Sequence, residues 1–482
     1  MSVESETPAQ PSRKPPLAVD LDGTLYRGDL FSEAILRFAF AKPWRAPLLG
    51  LWLLRGRPYA KAQLAEEAPC DPAELPYDER VLEWLKAERA DGRTIVLATA
   101  ADQKAAAAVA DHLDLFDAVY ASDGKVNLKS RRKAAALKEA FPDGFVYAGN
   151  ESADIRVWSE ASHAVVVNAP SSLRRRAEKR FSVEKSFPAE TNPVRALIKA
   201  VRPQQWAKNI LVFLPLLVGQ GWLDLTAWQH ALVAFCALCC AASSVYLVND
   251  AADIDADRAH PRKRRRPFAS GAVSPFLGLA LSALLFAAGL TLGFIAGVVG
   301  LVALYLAAST LYTFWLKRKV LADVFLLAGL YTLRVVIGGA ASGYVISSWL
   351  LAFSCFFFLS LALMKRVVEV RAQQSVGATT LARRGYHVSD GPVLTMMGIS
   401  ASFVSALVLA LYTQSETVAA HYRTPMALWA LPAAIVFWLC RVWLKTSRGE
   451  MTDDPLVFAF RDPVSLGIGA VAAASFAAAV LL

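Results

Sequence analysis

Nine times between residues 209 and 482 the chain enters an apolar stretch of roughly bilayer length, and it leaves each one through a loop of alternating charge character. No other feature restricts the fold so strongly, because a run that crosses hydrocarbon must satisfy every backbone N–H and C=O internally and at this length can do so only as a helix. The expected spans are about 209–222, 230–248, 274–293, 297–315, 322–342, 347–364, 392–412, 425–443 and 463–482. Loops after the even-numbered spans hold Arg258 and Arg262 to Arg266, then Lys317, Arg318 and Lys319, then Lys365, Arg366, Arg371, Arg383 and Arg384, then Lys445, Arg448 and Arg461. Loops after the odd-numbered spans contain only Arg423. The positive-inside rule therefore puts the basic loops, and everything before residue 200, in the cytoplasm. Trp222 and Trp228 suit an interfacial aromatic belt or packing against a neighbouring helix.

Composition matters because its averages conceal two different polymers. The chain has 482 residues, of which 55% are hydrophobic, and its mean hydropathy is +0.37. Residues 1 to about 200 mix charged and apolar positions as a soluble domain does. A net charge of +10 would suit nucleic acid, but its basic residues sit in short interspan loops, so orientation in a bilayer is the better reading. The six cysteines, four of them inside apolar runs, form no disulfide framework, in keeping with a reducing cytosolic side. The polar start, MSVESETPAQPSRKPP, has no apolar signal-peptide core, and residues 1–14 are expected to be disordered.

In the soluble part, short apolar runs alternate with helical patterns: LAVDL (17–21), TIVLAT (94–99), AVYAS (118–122), FVYAG (145–149) and AVVVN (164–168). That alternation predicts a doubly wound, Rossmann-like α/β sheet over residues 15–184. A helical insertion at about 28–90 would form a cap, and 185–200 a linker to an all-α membrane bundle at 201–482. Within the cap, PLLGLWLLRG (47–56) is apolar enough to rest on a bilayer, although burial within the cap is the expectation.

The second span ends in NDAADIDADRAHPRKRRRP (249–267). On a helix Asp250, Asp253 and Asp257 fall within about 60° of one another, while Asp255 points elsewhere. Carboxylates gathered on one face repel unless a cation sits between them. Asp and Asn oxygens suit a hard cation, and Mg²⁺ commonly completes its shell with water and substrate phosphates. A metal-bound diphosphate is the expected ligand, with Asn249 flanking it. The alternative is local pairing of the acids with the arginines behind them.

The pattern N-D-x-x-D-x-x-x-D, followed by Arg258 and by RPFASG (266–271), resembles the signature of the UbiA superfamily of intramembrane prenyltransferases. The resemblance extends over residues 200–482 and implies Mg²⁺-assisted departure of a diphosphate. RPQQWAKN (202–209), YTFWLKRKVLAD (312–323), LRVVIGGAASG (333–343) and KRVVE (365–369) look most like the decaprenyl-phosphate phosphoribosyltransferase branch. That likeness implies transfer of 5-phosphoribose from phosphoribosyl diphosphate to a polyprenyl phosphate. Aromatic prenyltransferases often carry a second DxxxD, whereas here Leu327 follows Asp323. Two phosphorylated substrates need more cations than a prenyl diphosphate and an aromatic ring. Lys208, Arg258, Lys263, Arg266, Lys317, Lys319, Arg334, Lys365 and Arg366 are the candidates, with Asn249, Tyr312 and Asp323 as further substrate contacts. Arg334, one third of the way into the fifth span, needs an anion there or a structural partner such as Asp323 or Glu369. The alternative function is prenylation of an aromatic acceptor.

LAVDLDGTLYRGD ends the first strand with Asp20 and Asp22, at the edge where open α/β sheets bind ligands. DxDGT resembles the first motif of the haloacid dehalogenase (HAD) superfamily, over residues 15–183. The resemblance implies a nucleophile at Asp20, a general acid/base at Asp22, phosphate binding at Thr99, charge neutralisation at Lys133, and Mg²⁺ held with Asp154. Lys129 and Lys125 are rivals for the lysine. The usual GDxxxD begins here with Asn150, which weakens the expected metal site. Expected partners are thus a polyprenyl lipid, a phosphorylated sugar or diphosphate donor, Mg²⁺ in both domains, the inner-membrane bilayer and a second copy of the chain, with no nucleic acid.

Overall fold

The structure, a computed structural model, describes residues 14–190, 192–375, 377, 379–381, 384–416, 418, 422–451 and 454–482. Of the sequence expectations, disorder over residues 1–13 and the loop cation Arg383 lie outside them. Lys14 is described, and it pairs with Glu88 at 3.1 Å. Two compact units emerge: residues 1–201 with 247–281, and residues 202–246 with 282–482.

In the first unit, β1 (Leu17–Val19), β2 (Ile95–Asp102), β3 (Ala118–Ser122), β4 (Val146–Gly149), β5 (His163–Val167) and β6 (Val183–Phe187) form a six-stranded sheet. Its order is β3-β2-β1-β4-β5-β6, and every pairing is parallel. This is the doubly wound order, whose crevice opens where the winding reverses beside β1. The strands are apolar on both sides because both faces are covered: Val19, Leu97 and Val165 pack into one core, Ala18, Val96 and Val166 into the other. The sixth strand, VEKSF, runs into the stretch read from sequence as a linker, which also holds a helix at Pro193–Val201.

The cap comprises α1 (Leu30–Ala41), α2 (Pro47–Leu54) and α3 (Arg57–Glu67). Asp29 caps α1 by accepting from the N–H groups of Phe31 and Ser32. Phe38, Trp52, Ala60, Leu64 and Ala68 form a small core of its own. Burial of the PLLGLWLL helix is not what the structure shows: within α2 only Trp52 is buried.

Among the described residues seven helices are long and apolar enough to cross a membrane. They are Leu225–Ala252, Pro275–Ile295, Ala322–Ser342, Ser348–Gln374, Val388–Thr413, Pro425–Ser447 and Pro463–Leu481. The expected count of nine is not reached. The first stretch folds as a 3₁₀ run, Pro203–Phe213, and a five-residue helix, Leu214–Val218. The fourth, Val299–Phe314, has 16 residues, or about 24 Å at 1.5 Å per residue, short of a hydrocarbon core of about 30 Å.

Small residues set helix spacing in the second unit. Ala231, Ala234, Ala237 and Ala241 are fully buried along one helix face, and a Cβ on Gly289 would lie 3.2 Å from both Ala237 O and Ala241 N. Such close backbone approach is how helices pack where lipid supplies no hydrophobic drive. Trp228 is not lipid-facing alone: it stacks on Phe213 at 5.6 Å.

Candidate active sites

In the head, the chain leaves β1 into a turn built around Gly23 (φ 73°). A Cβ there would meet the Asn150 side chain at 2.0 Å, so only glycine lets the two loops touch. Thr24 Oγ1 donates to Asn150 Oδ1 at 3.2 Å. Asn150 therefore stands against the Asp20–Thr24 turn, at the position where the resembled motif has its first acid.

Asp20 is buried, and its Oδ1 lies 2.9 Å from Lys133 Nζ. Lys133 Nζ also donates to Tyr147 Oη at 2.7 Å, and that hydroxyl donates to Asp154 Oδ1 at 3.1 Å. Asp20, Lys133, Tyr147 and Asp154 thus form one buried polar chain. Among the rivals for the lysine, Lys129 pairs with Glu151 at 3.3 Å near the surface, and Lys125 is exposed. Asp154 accepts from the N–H groups of Asn150 and Glu151 at 2.9 and 2.8 Å, which fixes the loop after β4. Burial, then the neighbouring Asp20 charge, pushes the Asp154 carboxyl up to about 6.

Asp22 retains some accessible surface yet sits deep among protein atoms. Burial, aided by Asp29, pushes its carboxyl up to about 8, although it accepts the Leu30 N–H. A carboxyl still protonated at neutral pH is equipped to donate to a leaving group. Thr99 is buried at β2, where its Oγ1 accepts the Ala101 N–H at 3.0 Å. Lys61, unremarked in the sequence, reaches from α3 to donate to Ala100 O. Burial lowers its pKa, while Asp22 and Asp29 oppose that. Between cap and sheet lies a cavity of about 240 Å³ whose lining includes Phe31, Arg37, Lys61, Leu64 and Lys104.

The acidic segment belongs to the same unit. The helix from Leu225 stops at Ala252, Asp253 interrupts it, and a short helix resumes at Ile254–Arg258. Backbone bonds Asp253 N–H to Asn249 O (3.0 Å) and Asp257 N–H to Asp253 O (2.8 Å) carry the helical register across the break. Asp250 and Asp257 are buried, and Arg266 Nη1 contacts both, at 3.3 and 2.7 Å. A cation thus already bridges these carboxylates. Burial raises the Asp257 pKa, with Arg266 opposing and Asp250 adding to the rise. No three His, Cys, Asp or Glu side chains among the described residues form a ready metal cage. The two converging carboxylates of Asp250 and Asp257 still fit Mg²⁺, which takes its remaining ligands from water and phosphate oxygens.

Two arginine roles differ from expectation. Arg258 is not free for phosphate: it forms a buried bidentate pair with Glu33 at 2.9 and 2.7 Å and contacts Tyr26 Oη at 3.2 Å. The Tyr26 hydroxyl in turn bonds Glu33. Asp255, turned away from its neighbours as expected, takes a bidentate contact from Arg37 of α1 at 2.8 Å on both oxygens. Glu33 and Arg37 gave no signal in the sequence, since a charged pair on a cap helix reads as solvated surface. Lys263 is exposed.

In the second unit, Lys208 is buried against Asp454. Among the described residues Arg334 pairs with neither of the acidic partners considered from sequence, Asp323 and Glu369. It donates instead to Asn209 Oδ1 (2.9 Å), Tyr305 Oη (2.8 Å) and Leu330 O (2.5 Å). Asp323 is fully buried, 2.7 Å from Arg366 Nη2, and accepts from Tyr386 Oη at 2.5 Å. The Arg366–Asp323 contact is close but misaligned for hydrogen bonding, so that among the described residues Arg366 Nε and Nη2 make no hydrogen bond. Arg366 also pairs with Glu369. Tyr312 Oη accepts from Arg384 at 3.2 Å, and Arg384 reaches Glu369 at 3.1 Å. Lys317 and Lys365 are half-buried and Lys319 exposed.

With the geometry in view, the model of the UbiA prenyltransferase family matches residues 211–461, just over half the chain. The chain belongs to the UbiA prenyltransferase family. This UbiA-family transferase is 38% identical over 476 residues to the uncharacterized protein y4nM of Sinorhizobium fredii, across 97% of this chain and 92% of that one. It is 40% identical over 195 residues to decaprenyl-phosphate phosphoribosyltransferase of Mycolicibacterium smegmatis, across 39% of this chain and 61% of that one. The N-terminal region is similar to apo phosphoserine phosphatase, with a TM-score of 0.28 and 18% identity over 39% of this chain and 98% of that one.

Proposed function

We propose that this transferase moves 5-phosphoribose from phosphoribosyl diphosphate to a polyprenyl phosphate at the cytoplasmic face of the inner membrane, and that its head removes the 5-phosphate from the product. The observation that carries the reading is the similarity to decaprenyl-phosphate phosphoribosyltransferase over 195 residues, joined to the chemistry of the acidic segment. Asp250, Asp253 and Asp257, with Asn249, would hold Mg²⁺, which when bound supplies positive charge to the departing diphosphate. Arg266, which contacts both Asp250 and Asp257, would offer its guanidinium to the diphosphate beside them. Lys263 at the mouth of the segment steers the anionic donor. The lipid phosphate is already anionic and attacks the anomeric carbon without a general base. Arg366, held between Asp323 and Glu369, and Lys208, Lys317, Lys319 and Lys365 bind phosphate oxygens. Arg334 and Asp323 hold neighbouring side chains in place, and Tyr312 orients Arg384.

In the head, Asp20 attacks the 5-phosphate to form an aspartyl phosphate while Asp22 protonates the departing sugar oxygen, and water then hydrolyses the aspartyl phosphate to release inorganic phosphate. Lys133 neutralises charge on Asp20 and Thr99 binds the phosphoryl group. Asp20, Asp22 and Asp154 would hold a second Mg²⁺. The test is a pair of variants in native membranes. Asp250→Asn should stop all transfer, whereas Asp20→Asn should let phosphorylated glycolipid accumulate without releasing phosphate. Turnover by Asp250→Asn at the native rate would remove the metal assignment.

A further inference from the structure

We infer that cap helix α2 is an interfacial anchor, lying in the headgroup layer of the bilayer and holding the head's cleft open to a membrane-borne phosphomonoester. Three observations meet on this helix. Its side chains are turned the wrong way for a soluble domain: Leu51, Leu53 and Leu54 are 56%, 44% and 86% exposed, and Trp44 just before it is 75% exposed. The flanks are basic, with Arg55 and Arg57 exposed and Lys42 and Arg45 half-buried, the last two paired with Glu67. An apolar face edged by Trp and Arg is the composition of an interfacial helix over anionic lipid.

The third observation places a bilayer within reach. Arg37, on the helix just before α2, grips Asp255 through both oxygens. Asp255 lies three residues beyond Ala252, where a membrane-spanning helix ends. Glu33 of the same α1 holds Arg258 in a buried pair. Gly271, four residues before the next span begins at Pro275, packs so closely that a Cβ would lie 2.5 Å from Arg27 O. All these contacts fall within one compact unit. The cap is thus fastened at the emerging ends of two spans, and only the Pro43–Arg45 turn separates α1 from α2. Burying three leucines and a tryptophan in the interface favours this docking by the usual area term.

The cavity between α1, α3 and the sheet carries Phe31 and Leu64 beside Lys61. An apolar wall beside a cation suits a phosphorylated headgroup on a lipid better than a free sugar phosphate.

The experiment uses the full chain in vesicles of phosphatidylcholine with phosphatidylglycerol, labelled by a lipid-soluble diazirine and mapped by mass spectrometry. Carbene adducts on Leu51, Leu53 and Leu54, weaker in pure phosphatidylcholine, are the expected result. Adducts confined to the spans would overturn the inference, as would α2-to-α2 cross-links between copies in place of lipid adducts. This readout is independent of activity, so it stands apart from the proposed function. A second rests on that function: in a Leu51→Gln, Leu54→Gln variant the ratio of lipid-borne to soluble phosphomonoester turnover should fall about tenfold. An unchanged ratio would sever the anchor from substrate choice. Wild-type protein inactive on both substrates would count against the proposed phosphatase, with the labelling still deciding the anchor.

Discussion

Asp22 shows how far one environment can set one role. Its carboxyl, pushed up to about 8 chiefly by burial, is protonated across neutral pH and loses its proton as pH rises through that value. Leaving-group protonation is therefore available below about 8 and lost above it. The kcat/KM for phosphate release should fall along the alkaline limb with an inflection near pH 8, since that ratio reports the free enzyme. Asp22→Asn should lack the limb and most of the rate; an unchanged alkaline limb would exclude Asp22 as the acid. The Glu33–Arg258 pair supports a different prediction. Both side chains are almost wholly buried, so Glu33→Gln strands a guanidinium and should cost about 3–5 kcal/mol of stability. Thermal unfolding of the full chain in detergent measures this, and a loss well under about 1 kcal/mol would contradict it. Much of the head's site was legible because DxDGT directly follows the first apolar strand and the lysine sits in the basic helix Arg131–Ala140. Geometry then separates Lys133, which contacts Asp20, from Lys129 and Lys125. Lys61, Glu33 and Arg37 were illegible, because their meaning comes from partners 39 to 225 residues away.

Among elements, the strands followed from apolar runs because both faces of a parallel sheet are covered. β6 did not, since VEKSF at the sheet edge is half polar and resembles a linker. The membrane helices show the converse limit. Apolar length identified the seven long spans, but it did not register that Val299–Phe314 forms a helix of 16 residues or that the 209–222 stretch takes 3₁₀ geometry. Close packing gives a test at this scale. A Cβ on Gly338 would lie 1.9 Å from Val212 O, a backbone atom that cannot step aside. Gly338→Ala should therefore destabilise the membrane unit by several kcal/mol, on the order of the largest single-site losses. Yield of monodisperse protein after extraction is the readout, and native yield with a native melting curve would contradict the packing.

At the scale of the molecule, the chain joins a doubly wound head to a helical membrane bundle, and the acidic segment that ends one span folds as part of the head's compact unit. That arrangement explains why NDAADIDADRAHPRKRRRP carries so much charge. Asp250 and Asp257 share Arg266, Asp255 takes Arg37, and Arg258 takes Glu33. The alternative in which acids pair locally with the following arginines thus holds for Arg266, while Arg258 and Asp255 bind the cap instead. None of this long-range partnering could be read from spacing alone. The account's central claim is the transferred group, and one measurement addresses it directly. Membranes containing the wild-type chain are incubated with decaprenyl phosphate, Mg²⁺ and phosphoribosyl diphosphate labelled in the ribose and at the 5-phosphate. The predicted result is a ribose-labelled lipid that forms first with and then without its 5-phosphate. A lipid pool with no ribose label, together with prenylation of an added aromatic acid from a prenyl diphosphate, would contradict it.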